Sequence, residues 1–164
     1  MHVIWRLANG SALLLAIAAA RATAQATPRV GLDVGIPVGI AILWHLNDKV
    51  DLRPDFNFTH VSIENGGDQT RLGFGASLLF PIKSTTPFTP YVGLRGGYGW
   101  YSGSNAPSDW SLAGIFGGRY MIDKRFGVSA ETGFEFDHFK PGGGFAASER
   151  TLTPWGRVSA IMYF

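Results

Sequence analysis

His60, Ser62 and Glu64 are the one group in this 164-residue chain whose types and spacing suggest covalent chemistry. In an extended segment, residues two apart point to the same side, so His60 and Ser62 would share one face. A histidine beside a hydroxyl, with an acid at hand, is the arrangement that activates a serine nucleophile. The plainer reading of His60 is a rim residue where a polar and an apolar zone meet, and that is the expectation kept here. Other groupings carry less. Gly93-Leu-Arg-Gly-Gly-Tyr-Gly99 is glycine-rich but precedes no helix, so it is no phosphate loop. With no cysteine, and with His2, His45 and His138 out of ligand spacing, neither a metal site nor a cofactor is expected. Asp137 and His138 could together meet a cation, but a solvated loop end is the simpler reading.

The elements that must position these residues read as strands. After residue 27 no helical period appears, only alternation broken by turn signals about every dozen residues. From Phe126 to Asp137 one face is Phe126, Val128, Ala130, Thr132, Phe134 and Phe136. The other is Gly127, Ser129, Glu131, Gly133, Glu135 and Asp137. Water suits the first face poorly, and a sandwich core suits the second no better. Strands are expected over 29–36, 40–47, 50–63, 70–82, 88–101, 109–122, 125–137 and 150–164. The break near Ile36-Pro37-Val38-Gly39 is the least determined, since alternation runs on from Val30 to Leu46 and one long strand would also fit it. Proline there favours a turn or an edge. Connections alternate between short polar turns (Asn47–Lys49, Lys83–Pro87, Asp123–Arg125) and longer Gly-, Asn- and Ser-rich loops.

Both ends of the chain carry signals. Leu13–Ala20 is an apolar run, and Ala22-Thr23-Ala24 is a small-x-small cleavage site. Residues 1–24 therefore read as a secretory signal peptide, leaving 25–164 as one domain, with Ala24-Gln25-Ala26 a second cleavage candidate. The run is too short for a helical span of roughly 20 residues. The chain has 14 Lys and Arg against 12 Asp and Glu; Arg6 and Arg21 fall in the leader, so the remainder is balanced. No basic surplus is left for nucleic acid. At the other end Arg157-Val-Ser-Ala-Ile-Met-Tyr-Phe164 alternates and stops on an aromatic, a poor ending for a soluble sheet edge.

Parity assigns every strand residue to a face. With the apolar face outward, Asp33, Asp51, Arg53, Asp55, Arg71, Arg95, Arg119, Glu131, Glu135, Asp137 and Arg157 all point inward. His45, Asn57, Thr59, Ser77, Ser129 and Tyr163 join them. Eight strands leave a bore just wide enough for side chains to fill. Opposite charges confined there should pair, because burying them singly costs far more. Inward glycines such as Gly75 and Gly99 make room for the arginines. On the outer face Trp100 and Trp110 flank one long loop, while Trp44, Phe80, Tyr120 and Phe164 lie near the opposite end. Two aromatic bands at two heights are the girdles of a membrane barrel. The alternative is a soluble eight-stranded barrel, secreted to the periplasm, with its apolar face inside.

The leader, the alternation and the terminal segment together resemble the small OmpA/OmpX-type outer-membrane β-barrel family. Arg157, Met162 and Phe164 fit that family's C-terminal assembly signal, with Ser159 in place of its usual glycine. The resemblance implies an all-β, eight-stranded antiparallel up-and-down transmembrane barrel in a Gram-negative outer membrane. It implies outer-membrane lipids and the barrel-assembly machinery as partners, and a structural or interaction role in a non-enzymatic protein. His60-Val61-Ser62 also looks like the His-x-Ser element of the lipid A deacylases. There the element lies late in the chain and the acid follows on the next strand. Here it lies early, the strand from Thr70 has no carboxylate, and Glu64 would serve from a loop. A narrow channel is the other alternative, disfavoured by a bore of balanced charge.

Overall fold

Alternation of apolar and polar residues becomes eight strands. They are β1 (Val30–Ile36), β2 (Gly39–Asn47), β3 (Val50–Ile63), β4 (Gly67–Pro81), β5 (Phe88–Tyr101), β6 (Ser108–Met121), β7 (Phe126–Lys140) and β8 (Glu149–Tyr163). In this computed structural model each pairs antiparallel with its chain neighbours, and β8 closes on β1. The structure describes residues 30–36, 39–63, 67–83, 87–102, 106–142 and 147–164, without the side chains of 61–69. The leader and the break at Pro37 and Val38 lie outside the described residues. On either side of that break the segment forms two strands, of 7 and 9 residues, rather than one.

The pairing winds as it closes. From Val34, cross-strand partners lead through Ile40, Phe56, Phe74, Tyr98, Trp110 and His138 to Arg150. Val34 itself pairs with Ala160, so the circuit slips by ten residues. Such a stagger goes with strands tilted by roughly 35–45° and a bore that side chains fill. The last residues complete the seam: the Tyr163 amide donates to the Arg125 carbonyl at 2.7 Å and the Phe164 amide to that of Val30 at 3.0 Å.

Two strands run past their expected ends. β4 starts at Gly67 rather than 70, and β7 continues to Lys140 rather than 137. Cross-strand partners carry the extension: Asp109 pairs with Phe139, whose ring meets Tyr101 edge-on at 6.2 Å. Polar, glycine-bearing ends read as loop when taken singly; paired, they continue the ladder.

The apolar side faces out. Ile36, Phe134, Leu152 and Phe164 are all at least 60% exposed, while Asp33, Asp51 and Arg53 are at most 1% exposed. That ordering excludes the soluble alternative, whose apolar face would be the buried one. The wall is also locally tight. A Cβ on Gly133 would overlap the Gly114 carbonyl oxygen, whereas one on Gly96 meets nothing within 4 Å. At the β6–β7 turn, Asp123 accepts hydrogen bonds from the amides of Arg125 (2.6 Å) and Phe126 (2.7 Å). Those two amides hold its carboxyl below the ordinary 3.8.

Gly133→Ala should destabilise the barrel by about 1–3 kcal/mol in urea unfolding from micelles, the range for overpacking, and Gly96→Ala should be near neutral. A depressed carboxyl stabilises the turn above its unfolded pKa and stops doing so as pH falls through its folded value. The Arg125 and Phe126 amide resonances should therefore titrate with a midpoint below 3.8, and Asp123→Ala should abolish that transition.

Candidate functional site: the lumen

Each strand sends alternate side chains into the bore, and the ten-residue slip stacks them in tiers. The lowest tier lies at the end of the short turns. Leu43, Leu79, Tyr91, Ile115, Ile161 and Tyr163 form a buried apolar cluster there. Arg119 lies against the rings of Tyr91 (5.8 Å) and Tyr163 (5.9 Å) and donates to Asp51 at 2.8 Å. Asp51 also bonds His45 Nδ1 at 2.6 Å, and His45 stacks on Tyr163. The parity argument counted only polar residues inside; the floor of the bore is largely apolar.

The middle tier is ionic. Arg53 presents both terminal nitrogens to Glu131: Nη2 reaches Oε2 at 2.9 Å, and Nη1 reaches Oε1. Arg53 Nη1 also lies 3.5 Å from Asp33, whose other oxygen takes Arg157 Nη2 at 2.8 Å. Tyr91 donates its hydroxyl to Glu131 at 2.7 Å, and Ser129 and Ser159 share a 2.7 Å bond. This cluster joins β1, β3, β5, β7 and β8. Its members are nearly all removed from water, so each charge depends on its partners. Gly35 makes room for this arrangement, since a Cβ there would displace the Arg157 guanidinium.

Above it, Arg95 donates to both oxygens of Asp55 (2.8 and 3.2 Å) and to Glu135 (3.2 Å). Higher still, Arg71 grips Asp109 with two bonds of 3.0 Å and donates to Asn57 at 3.1 Å. Asp137 departs from the expected network: among the described residues no cation lies within 4 Å of it. Arg71 is held by Asp109 instead. Asp109 opens the expected strand 109–122 but was not counted among the inward charges, although the outward Trp110 beside it gives it inward parity. Tyr91 and Trp155 were missed as lumen groups for want of a charge. Between these upper residues lies a cavity of about 360 Å³, lined by Asp55, Asn57, Arg71, Arg95, Glu135, Asp137, Trp155 and Arg157 among others.

The remaining candidates lie on the wall. His60 is exposed on the outer face, and its Nδ1 is 3.0 Å from the Thr70 hydroxyl on β4. The side chain of Ser62 and all of Glu64 lie outside the described residues. Trp44, Phe80, Trp100, Trp110, Tyr120, Met162 and Phe164 are all exposed on the apolar face. Among the described residues no three His, Cys, Asp or Glu side chains are grouped to hold a metal.

A closed eight-stranded wall, apolar outside and ion-paired inside, can be set beside solved structures. One is Neisserial surface protein A (NspA), 14% identical, with a TM-score of 0.55 over 82% of this chain and 92% of that one. The fold is that of the small outer-membrane barrels. Lower TM-scores, 0.44 and 0.46, relate the chain to CarO of Acinetobacter baumannii and the outer membrane protein OprG of Pseudomonas aeruginosa. Their identities are 15% and 16%, over 84% and 81% of this chain and 98% and 80% of theirs. No protein-family model matches the chain, and no curated protein matches it in sequence.

Arg53→Met should cost about 3–5 kcal/mol, since it strands Glu131 as a buried charge, while Asp33 keeps Arg157. Adding Glu131→Gln should recover part of the loss, as measured by urea unfolding in micelles. Additive losses in the double variant would show that the two residues act separately.

Proposed function

We propose that the protein is a structural or interaction component of a Gram-negative outer membrane, exported by a leader cleaved before Gln25. The observation that carries this reading is the opposition of the two faces. An outer wall of exposed apolar residues, including Phe134 and Leu152, surrounds an interior of paired Arg, Asp and Glu. Hydrocarbon satisfies the first and tolerates the second only when it is enclosed. Trp44, Phe80 and Tyr120 at one end, with Trp100 and Trp110 at the other, would anchor the two interfaces. Arg157, Met162 and Phe164 would present β8 to the assembly machinery.

The role is closed rather than conductive. Leu43, Leu79, Tyr91, Ile115 and Ile161 fill the short-turn end of the bore, and the Arg53 cluster lies across it above them. A diffusion pore needs a wetted path along its whole length, which these two tiers interrupt. The lipid-modifying reading has one feature in its support, the outward, exposed His60. With its ring directed to Thr70, His60 serves as a rim residue.

In planar bilayers the purified barrel should give no steady open-channel current, and lipid A from cells with and without it should have the same mass spectrum. A large, steady, ion-selective conductance would establish the channel. Loss of acyl chains that disappears in His60→Ala would establish the hydrolase.

A further inference from the structure

The wall is not equally tall all round. β1 pairs with β8 only up to Ile36 and Val158, and β2 pairs with β3 only up to Ile40 and Phe56. Above those points Glu149–Arg157 of β8 has a neighbour only in β7, and Asn57–Ile63 of β3 only in β4, among the described residues. Among the described residues this leaves a notch over β1–β2, roughly three strand spacings or about 14 Å wide.

The notch lies among lipid-facing side chains. Phe58 on one flank and Leu152 on the other are both more than half exposed on the outer face. A bare strand edge cannot face hydrocarbon without polar partners for its amides and carbonyls. Behind the notch is the upper cavity. Gly39 lies at its sill, Asn57 and Thr59 on the β3 side, and Trp155 on the β8 side. Polar matter therefore belongs in the opening, and apolar matter outside it.

We propose that the notch admits, sideways from the membrane, the amine-bearing head of an amphiphile whose tail remains among the acyl chains. This rests on the outer-membrane reading above. The sign of the head follows from the cavity's charges. Arg71, Arg95 and Arg157 are each held by carboxylates, to Asp109, to Asp55 and Glu135, and to Asp33. Asp137 makes no ion pair within 4 Å among the described residues, with Arg71 and Arg95 acting on it only from farther off, so an ammonium gains a contact partner there, while an anion meets guanidinium groups that carboxylates already hold. Trp155 offers an aromatic face beside the entry, to which an ammonium is also attracted.

The test follows the Trp155 indole and Gly39 amide resonances of the folded barrel in neutral maltoside micelles. Dodecylammonium should shift both saturably, with an apparent Kd at least tenfold higher in Asp137→Asn. Dodecyl phosphate should shift neither, and propylammonium should bind at least tenfold more weakly than dodecylammonium. Equal binding by propylammonium would mean a site for soluble amines, and equal binding by dodecyl phosphate a site for any amphiphile; either overturns the proposal. So does an Asp137→Asn protein that binds unchanged. Heat-modifiable gel mobility of each sample shows whether the barrel is folded, so loss of binding and failure of the membrane-barrel reading are told apart.

Discussion

The pleat governs this molecule. Because successive side chains leave a strand on opposite sides, one ribbon must serve two environments, and every strand divides hydrocarbon-compatible residues from ionic ones. Val128, Ala130 and Phe134 face out from the same strand that sends Ser129, Glu131 and Glu135 in. Closure turns this local alternation into an enclosure. Charges that would be costly singly are then held within reach of partners four strands away, as Arg53 is with Glu131.

Much of this was legible in the sequence because period-two alternation is a local signal. Parity alone placed Arg53, Arg95, Arg119 and Arg157 inside, and Trp100 and Trp110 outside. Which charges would meet was not legible, since partners such as Arg157 and Asp33 are 124 residues apart and depend on the ten-residue slip. The slip also assigned Arg71 to Asp109 and left Asp137 alone. The apolar floor went unread for a different reason. Leu79, Ile115 and Ile161 have the inward parity, but only their shared height reveals a core. The short β1 and β2 were visible as a weak segment at Pro37; that their shortness opens the wall above them needed the registers.

The two ends of the bore differ in consequence. Toward the short turns, packed rings and aliphatic side chains seal it beneath a five-strand ionic cluster. Toward the long loops, arginine pairs line a cavity among the described residues. The ionic cluster thus holds the barrel shut on one side and forms the floor of a site on the other. Neisserial surface protein A shares the fold at 14% identity, so the cavity's residues are this chain's own.

The most direct measurement is lipid contact, residue by residue, along β7. Nitroxide labels would be placed singly at Val128, Phe134 and Glu131 in barrels folded into bilayers, and read for collision with a lipid-soluble relaxant. High accessibility at Val128 and Phe134 with protection at Glu131 is the expected pattern. Protection at the first two with contact at Glu131 would turn the barrel inside out and contradict the account.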